Sequence, residues 1–122
     1  MTNKTIPFLK YKKNIHFIGI GGSGMSAIAD TLLELNYKVT GSDIKESMAT
    51  IKLKDKGAKI DIGHHKKNVN LADVIVYSNA IDKDNPELIK ATKENIPILK
   101  RAEMLNHIIS SYKNKIMVTG TH

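Results

Sequence analysis

The stretch Ile15 to Met25, reading Ile-His-Phe-Ile-Gly-Ile-Gly-Gly-Ser-Gly-Met, constrains the fold of this chain more than any other. Ile15, Phe17, Ile18 and Ile20 make a short apolar run that stops at glycines, and an apolar helical pattern begins at once at Met25, Ile28, Ala29 and Leu32. Strand, tight turn and helix are therefore written in the periodicity. Gly19, Gly21 and Gly24 fall on G-x-G-x-x-G in the setting that gives the motif meaning. Gly19 is expected to make the turn, Gly21 to bring backbone close to a ligand, and Gly24 to let the helix pack on the strand. The helix start leaves backbone N–H groups without partners and turns the positive end of its dipole towards the loop, so a phosphate or diphosphate is the natural occupant.

The rest of the chain repeats the alternation. The first helix is expected from Ser23 to Leu35, closed by Asn36 in the left-handed cap conformation. Tyr37 to Thr40 reads as a strand running into Gly41-Ser42-Asp43, Ser47 caps a helix to Lys56 with Gly57 behind it, and Lys59 to Ile62 is a short third strand. Val74-Ile75-Val76 has the unbroken apolar character of a strand covered on both faces. Asn85-Pro86-Glu87 opens a helix with a cap, a proline and an acid. Pro97 to Leu99 is a fifth strand, and Ala102, Leu105, Ile108 and Ile109, with Met104 alongside, give a last amphipathic helix. The pattern predicts an α/β fold with an open, mainly parallel five-stranded sheet and helices on both faces. Residues 1–13 read as a polar leader whose Ile6-Pro7-Phe8-Leu9 cluster can pack on the domain of residues 14–112. Lys115 to Val118 reads as a sixth strand, and residues 113–122 as a linker and the opening of a truncated second domain.

In such a sheet ligands collect where the strands end. Asp43, nineteen positions past Gly24, is placed to accept hydrogen bonds from a ribose; the alternative is a turn or cap aspartate before Ile44. His64 and His65 open a polar loop. Neighbours on extended backbone point to opposite faces and no further ligand residue sits at metal spacing, so no metal site is expected. One of the pair is a candidate to hydrogen-bond a nucleotide, and exposed loop histidines are an equal reading. Ser78-Asn79-Ala80-Ile81 puts small polar groups at the fourth strand end. Thr119-Gly120-Thr121-His122 matches the opening of a phosphate loop of the form G-x-x-x-x-G-K-[ST] without the part that would complete it.

Composition removes several classes of function. No apolar run approaches the roughly 20 residues that span a bilayer, so membrane insertion is not expected. The N-terminal segment has no signal-peptide pattern, and the absence of cysteine rules out a disulfide framework and thiolate chemistry, as suits a cytoplasmic protein. The 19 basic against 12 acidic residues give a net charge of +7, yet the only arginine is Arg101 and the lysines are scattered. Nucleic-acid readout favours arginine forks and clustered aromatics, so no nucleic-acid partner is expected. A basic field that draws in a phosphorylated small molecule fits better.

Taken in order, Gly-Ile-Gly-Gly-Ser-Gly-Met-Ser, Gly-Ser-Asp, Gly-His, Ser-Asn-Ala-Ile, Arg-Ala-Glu-Met-Leu and Thr-Gly-Thr-His resemble the N-terminal domain of the Mur ligases, over nearly everything from Asn14 to His122. The resemblance implies a Rossmann-like domain that holds the UDP part of UDP-N-acetylmuramic acid. It places Gly21, Gly22, Ser23, Gly24 and Met25 around the diphosphate, with Gly19 in the same UDP site, and Ser42 and Asp43 near the uridine. His64, Ser78, Asn79, Ala80 and Ile81 would complete the pocket, with Arg101 near the domain junction. The family more often has a second serine where Asn79 stands. The branch this sequence resembles joins L-alanine to the lactyl carboxylate of that substrate using ATP and Mg²⁺, through an acyl phosphate. The resemblance puts the ATP site in a central domain whose phosphate loop would start at Gly120, Thr121 and His122. It follows that this chain alone would bind substrate, carry no catalytic residue and no cofactor, and be inactive. Two other readings stand beside it: the NAD-binding domain of an oxidoreductase, for which the glycines and Asp43 serve equally well, and a non-enzymatic nucleotide-sensing module.

Overall fold

The computed structural model of the protein describes residues 6–118. Strand β1 (Asn14–Ile18) runs through the glycine turn into α1 (Met25–Glu34), and β2 (Lys38–Asp43), α2 (Met48–Asp55) and β3 (Lys59–Ile62) follow. The chain then crosses to β4 (Val74–Tyr77), α3 (Pro86–Lys93), β5 (Ile98–Lys100) and α4 (Arg101–Val118). All four strand pairings are parallel in the order β3-β2-β1-β4-β5, with Phe17 level with Gly41 on one side and Val76 on the other. The winding direction reverses between β1 and β4. That switch opens a crevice at the carboxyl edge of the sheet.

Alternation along β1 decides which layer each side chain joins. Ile15 and Phe17 face a cluster with Met25, Leu32, Val76 and Met104, whereas Ile18 joins Ile75, Leu88 and Ala91 on the α3 side. Each fully buried aliphatic or aromatic side chain contributes about 1.5–3 kcal/mol. Local signals set the boundaries: Ser47 and Thr50 form a reciprocal capping box, and Asn36 turns left-handed at φ +72° behind α1. At the start of α3, the Asn85 side chain accepts from the Glu87 N–H at 2.9 Å.

Ile6 and Leu9 are buried, the Ile6 N–H donates to the Tyr37 hydroxyl at 2.9 Å, and Phe8 stacks on His107 of α4 at 4.5 Å. The leader is therefore part of the packed unit from Ile6 onward.

Three expectations are corrected. Lys115–Val118 is not a strand but the end of α4, where Ile116, Met117 and Val118 are as compatible with helix as with strand until a neighbouring strand is present to pair. The inward face of α4 is Met104 and Ile108; Leu105 and Ile109 are 37% and 42% exposed, one residue off the expected stripe. The first helix starts at Met25, because Gly24 at φ +80° cannot be a helical residue and serves as the cap.

Candidate functional site

The glycine turn is tied to the neighbouring strand before any ligand is considered. Gly19 at φ +82° and Ile20 both donate to the Ser42 carbonyl, at 2.8 and 3.0 Å, and Gly22 donates to the Gly19 carbonyl at 3.0 Å. Among the described residues, the N–H groups of Ser23, Gly24 and Ala27 have no partner. They gather at the positive end of α1, where an anion is favoured by both hydrogen bonds and dipole. Gly24 has a role that spacing did not reveal: a Cβ there would lie 3.1 Å from Arg101 Nη1 and 3.2 Å from Cδ, so the arginine lies against the bare backbone beside the free amides.

Asp43 holds the loop from the other side. Its Oδ2 accepts from the Gly21 N–H at 2.8 Å and its Oδ1 from Ile44 N–H at 2.7 Å. The Gly21 amide, expected to reach a ligand, is thus occupied, and a Cβ on Gly21 would sit 2.9 Å from Asp43 Oδ2 and 3.1 Å from Ser47 Oγ. Each carboxylate oxygen keeps a second lone pair, so Asp43 can both clamp the turn and accept a hydroxyl.

Behind this edge lies a buried hub. Glu87, with 0% exposure at the first turn of α3, accepts from four donors: His16 Nε2 at 2.7 Å, Ser42 Oγ at 2.8 Å, Asn68 Nδ2 at 2.8 Å and the His65 N–H at 3.0 Å. Burial alone raises its carboxyl pKa, but the hydrogen bonds from His16, Asn68 and Ser42 outweigh it and hold the group at about 2 against an ordinary 4.5. His16 Nδ1 meets Thr40 Oγ1 at 2.7 Å, and His64 Nδ1 meets Ser42 Oγ at 2.8 Å. No buried side-chain nitrogen or oxygen among the described residues lacks a partner.

Two clefts meet over the turn. One, of about 470 Å³, is lined by Gly19, Asp43, His64, Ile81, Asp82 and Asp84 among others. The second, of about 360 Å³, is lined by Ser23, Asn79, Lys100 and Arg101. Gly22, Ser78 and Ala80 belong to both, so the two lobes form one trough along the carboxyl edge. Its first lobe is acidic and partly apolar, its second basic.

The expected site residues therefore separate by role. Gly19, Gly22, Ser23, Asp43, His64, Ser78, Asn79, Ala80, Ile81 and Arg101 line the trough. Gly21 and Gly24 shape it from beneath through Asp43 and Arg101. Met25 is buried with its N–H donated to the Gly22 carbonyl at 3.1 Å, and Ser42 is buried with its hydroxyl on Glu87; neither presents a free polar group to the trough. The adjacent histidines part as extended backbone requires, His64 into the trough and His65 onto the Lys67 N–H. Among the described residues no three metal-ligating side chains converge. Gly120, Thr121 and His122 lie outside the described residues. Spacing missed His16 and Glu87; the available signal was a histidine inside the apolar run Ile15–Ile18, which in a central strand must find a buried partner.

The family model described as Mur ligase family, catalytic domain, matches residues 14–113. The UDP-N-acetylmuramate--L-alanine ligase of Clostridium botulinum strain Okra is 53% identical over 116 residues, covering 94% of this chain and 25% of that protein. The solved structure of UDP-N-acetylmuramate-alanine ligase MurC from Thermotoga maritima aligns with a TM-score of 0.77 at 35% identity, over 82% of this chain and 23% of that one. A murein peptide ligase from Psychrobacter arcticus aligns at 0.69 and 26% identity, over 76% of this chain and 20% of its own. The chain thus spans about a quarter of the length of the curated relatives it matches.

Proposed function

This chain belongs to the Mur ligase family, and on that footing we propose that it is the part of a cytoplasmic UDP-N-acetylmuramate:L-alanine ligase that holds the nucleotide end of UDP-N-acetylmuramic acid. The observation that carries the reading is the free Ser23 and Gly24 amides at the start of α1, with Arg101 packed against Gly24 beside them. Together they offer a diphosphate two backbone donors, a helix dipole and a cation. The nucleoside then occupies the lobe of Asp43, His64 and Ile81, where three carboxylates disfavour a phosphate. The acetylmuramyl end leaves the trough towards the rest of the protein, where L-alanine meets it. Gly120, Thr121 and His122 would begin the phosphate loop of the next domain. ATP, with Mg²⁺, supplies the activation of the carboxylate when bound there. The residues described here bind and orient; none is assigned a step in the reaction.

The test is calorimetric titration of the chain with UDP, UDP-N-acetylmuramic acid and NAD. The two uridine nucleotides are expected to bind and to raise the melting temperature by mass action. Tight binding of NAD with no response to UDP overturns the reading.

A further inference from the structure

Counting protons around Glu87 fixes more of the site than distances alone. An ionised carboxylate only accepts, so both Glu87 oxygens are filled by donors, and the Ser42 hydroxyl at 2.8 Å spends its single hydrogen there. Ser42 Oγ can then only accept from its other partner, His64 Nδ1, at 2.8 Å. A neutral imidazole carries one N–H, so with Nδ1 protonated Nε2 is a bare lone pair. Nε2 has no partner among the described residues and is not among the buried unsatisfied atoms, so it is the ring nitrogen that reaches solvent in a side chain only 15% exposed. His64 lines the acidic lobe, facing Asp43 from β2 and Asp82 and Asp84 from the β4–α3 turn.

We propose that Glu87 is a positioning residue which, through Ser42, keeps the proton of His64 on Nδ1, so that Nε2 offers a lone pair to the trough and selects a hydrogen-bond donor of the nucleoside over a phosphate. The donor is either the imide N–H of the base or the ribose 2′-hydroxyl. The relay itself follows from geometry, whereas the selective role rests on the nucleotide reading above.

Two measurements on the whole chain test the two halves separately. Nitrogen-15 NMR of the ligand-free protein, with the His64 signals assigned by their loss in His64→Gln, is expected to show the Nδ1–H tautomer; Nε2–H overturns the relay. In Glu87→Gln the amide can donate to Ser42, and the tautomer is expected to shift towards Nε2–H; a folded variant with an unchanged tautomer overturns Glu87's role. Ser42→Ala, which removes the relay and one of the four donors to Glu87 but keeps the carboxylate, leaves His64 Nδ1 only a 3.6 Å approach to Glu87 Oε2 and is expected to give a mixture; retention of pure Nδ1–H counts against a relay through Ser42. The wild type is then titrated with UDP, CDP, 2′-deoxy-UDP and inorganic pyrophosphate. CDP, lacking the imide N–H, or 2′-deoxy-UDP, lacking one hydroxyl, is expected to bind roughly tenfold or more weakly than UDP. His64→Ala should abolish that discrimination and leave pyrophosphate unchanged. Equal affinity for all three nucleotides, or an equal loss of pyrophosphate in His64→Ala, overturns the selective role. A wild type that binds neither UDP nor pyrophosphate overturns the nucleotide reading itself, a failure that the tautomer, read without ligand, distinguishes from failure of the relay.

Discussion

The two lobes of the trough meet at Gly22, Ser78 and Ala80 but are built on opposite physical plans. The lobe of His64 stands on a buried carboxylate with four donors, reaching from β1 through β2 to α3. The lobe of Arg101 stands on two cations that water can reach, Lys100 at the end of β5 and Arg101 at the start of α4, the latter laid against the backbone of Gly24. A buried charge must have every lone pair satisfied, so the first lobe is inseparable from the fold. A half-buried charge that water still reaches needs less such support, and the second lobe can be changed with little effect on the rest.

The sharpest break of this contrast is Glu87→Ala. It strands His16, Ser42 and Asn68 together, and is expected to cost about 3–5 kcal/mol in urea denaturation, as for other buried pairs that lose one partner. An unchanged midpoint would mean that the hub is not structural. The same group sets the acid limb of stability. Its folded pKa, about 2, lies below the ordinary 4.5, so its contribution is complete above 4.5 and is lost as pH falls from there towards 2. Melts across that window should show the loss, and Glu87→Gln should flatten it.

The basic lobe responds differently. Arg101→Ala is expected to weaken UDP and pyrophosphate binding by about 1.5–3 kcal/mol, the worth of a charged hydrogen bond, with the melting temperature almost unmoved. The remaining affinity should depend less on salt than that of the wild type. Gly24→Ala couples the lobes to the backbone: φ +80° and the 3.1 Å approach to Arg101 Nη1 predict a stability loss of about 1–2 kcal/mol with weakened pyrophosphate binding. Smallest of all, Lys56→Ala removes an exposed pair with Asp30 at 2.6 Å on the α1–α2 surface. It should leave both binding and denaturation within error, and a clear effect there would show that surface charge matters beyond the trough.

Much of the fold was legible because its signals are local. The switch from apolar strand to glycine turn to amphipathic helix at Ile15–Met25 needs no distant partner, nor do the Ser47 and Asn85 caps or the left-handed Asn36. The order of those signals also pointed to the carboxyl edge for Asp43 and Ser78, whereas His64 stood level with an exposed loop residue and Arg101 entered only through the family resemblance, near the domain junction. Spacing could not say which face of α4 turns inward, since a shift of one residue leaves the apolar pattern nearly as good, nor that Lys115–Val118 would continue a helix.

What the sequence determined by itself was a parallel α/β sheet with a glycine turn leading into its first helix, because periodicity and glycine positions act within a few residues of one another. What only the tertiary structure decided was the use of each polar group: Asp43 clamping Gly21, Arg101 lying on Gly24, and Glu87, 71 positions from His16, holding that histidine at 2.7 Å. A hydrogen bond depends on separations of a few tenths of an ångström, and for residues so far apart along the chain those separations exist only after the sheet has been assembled.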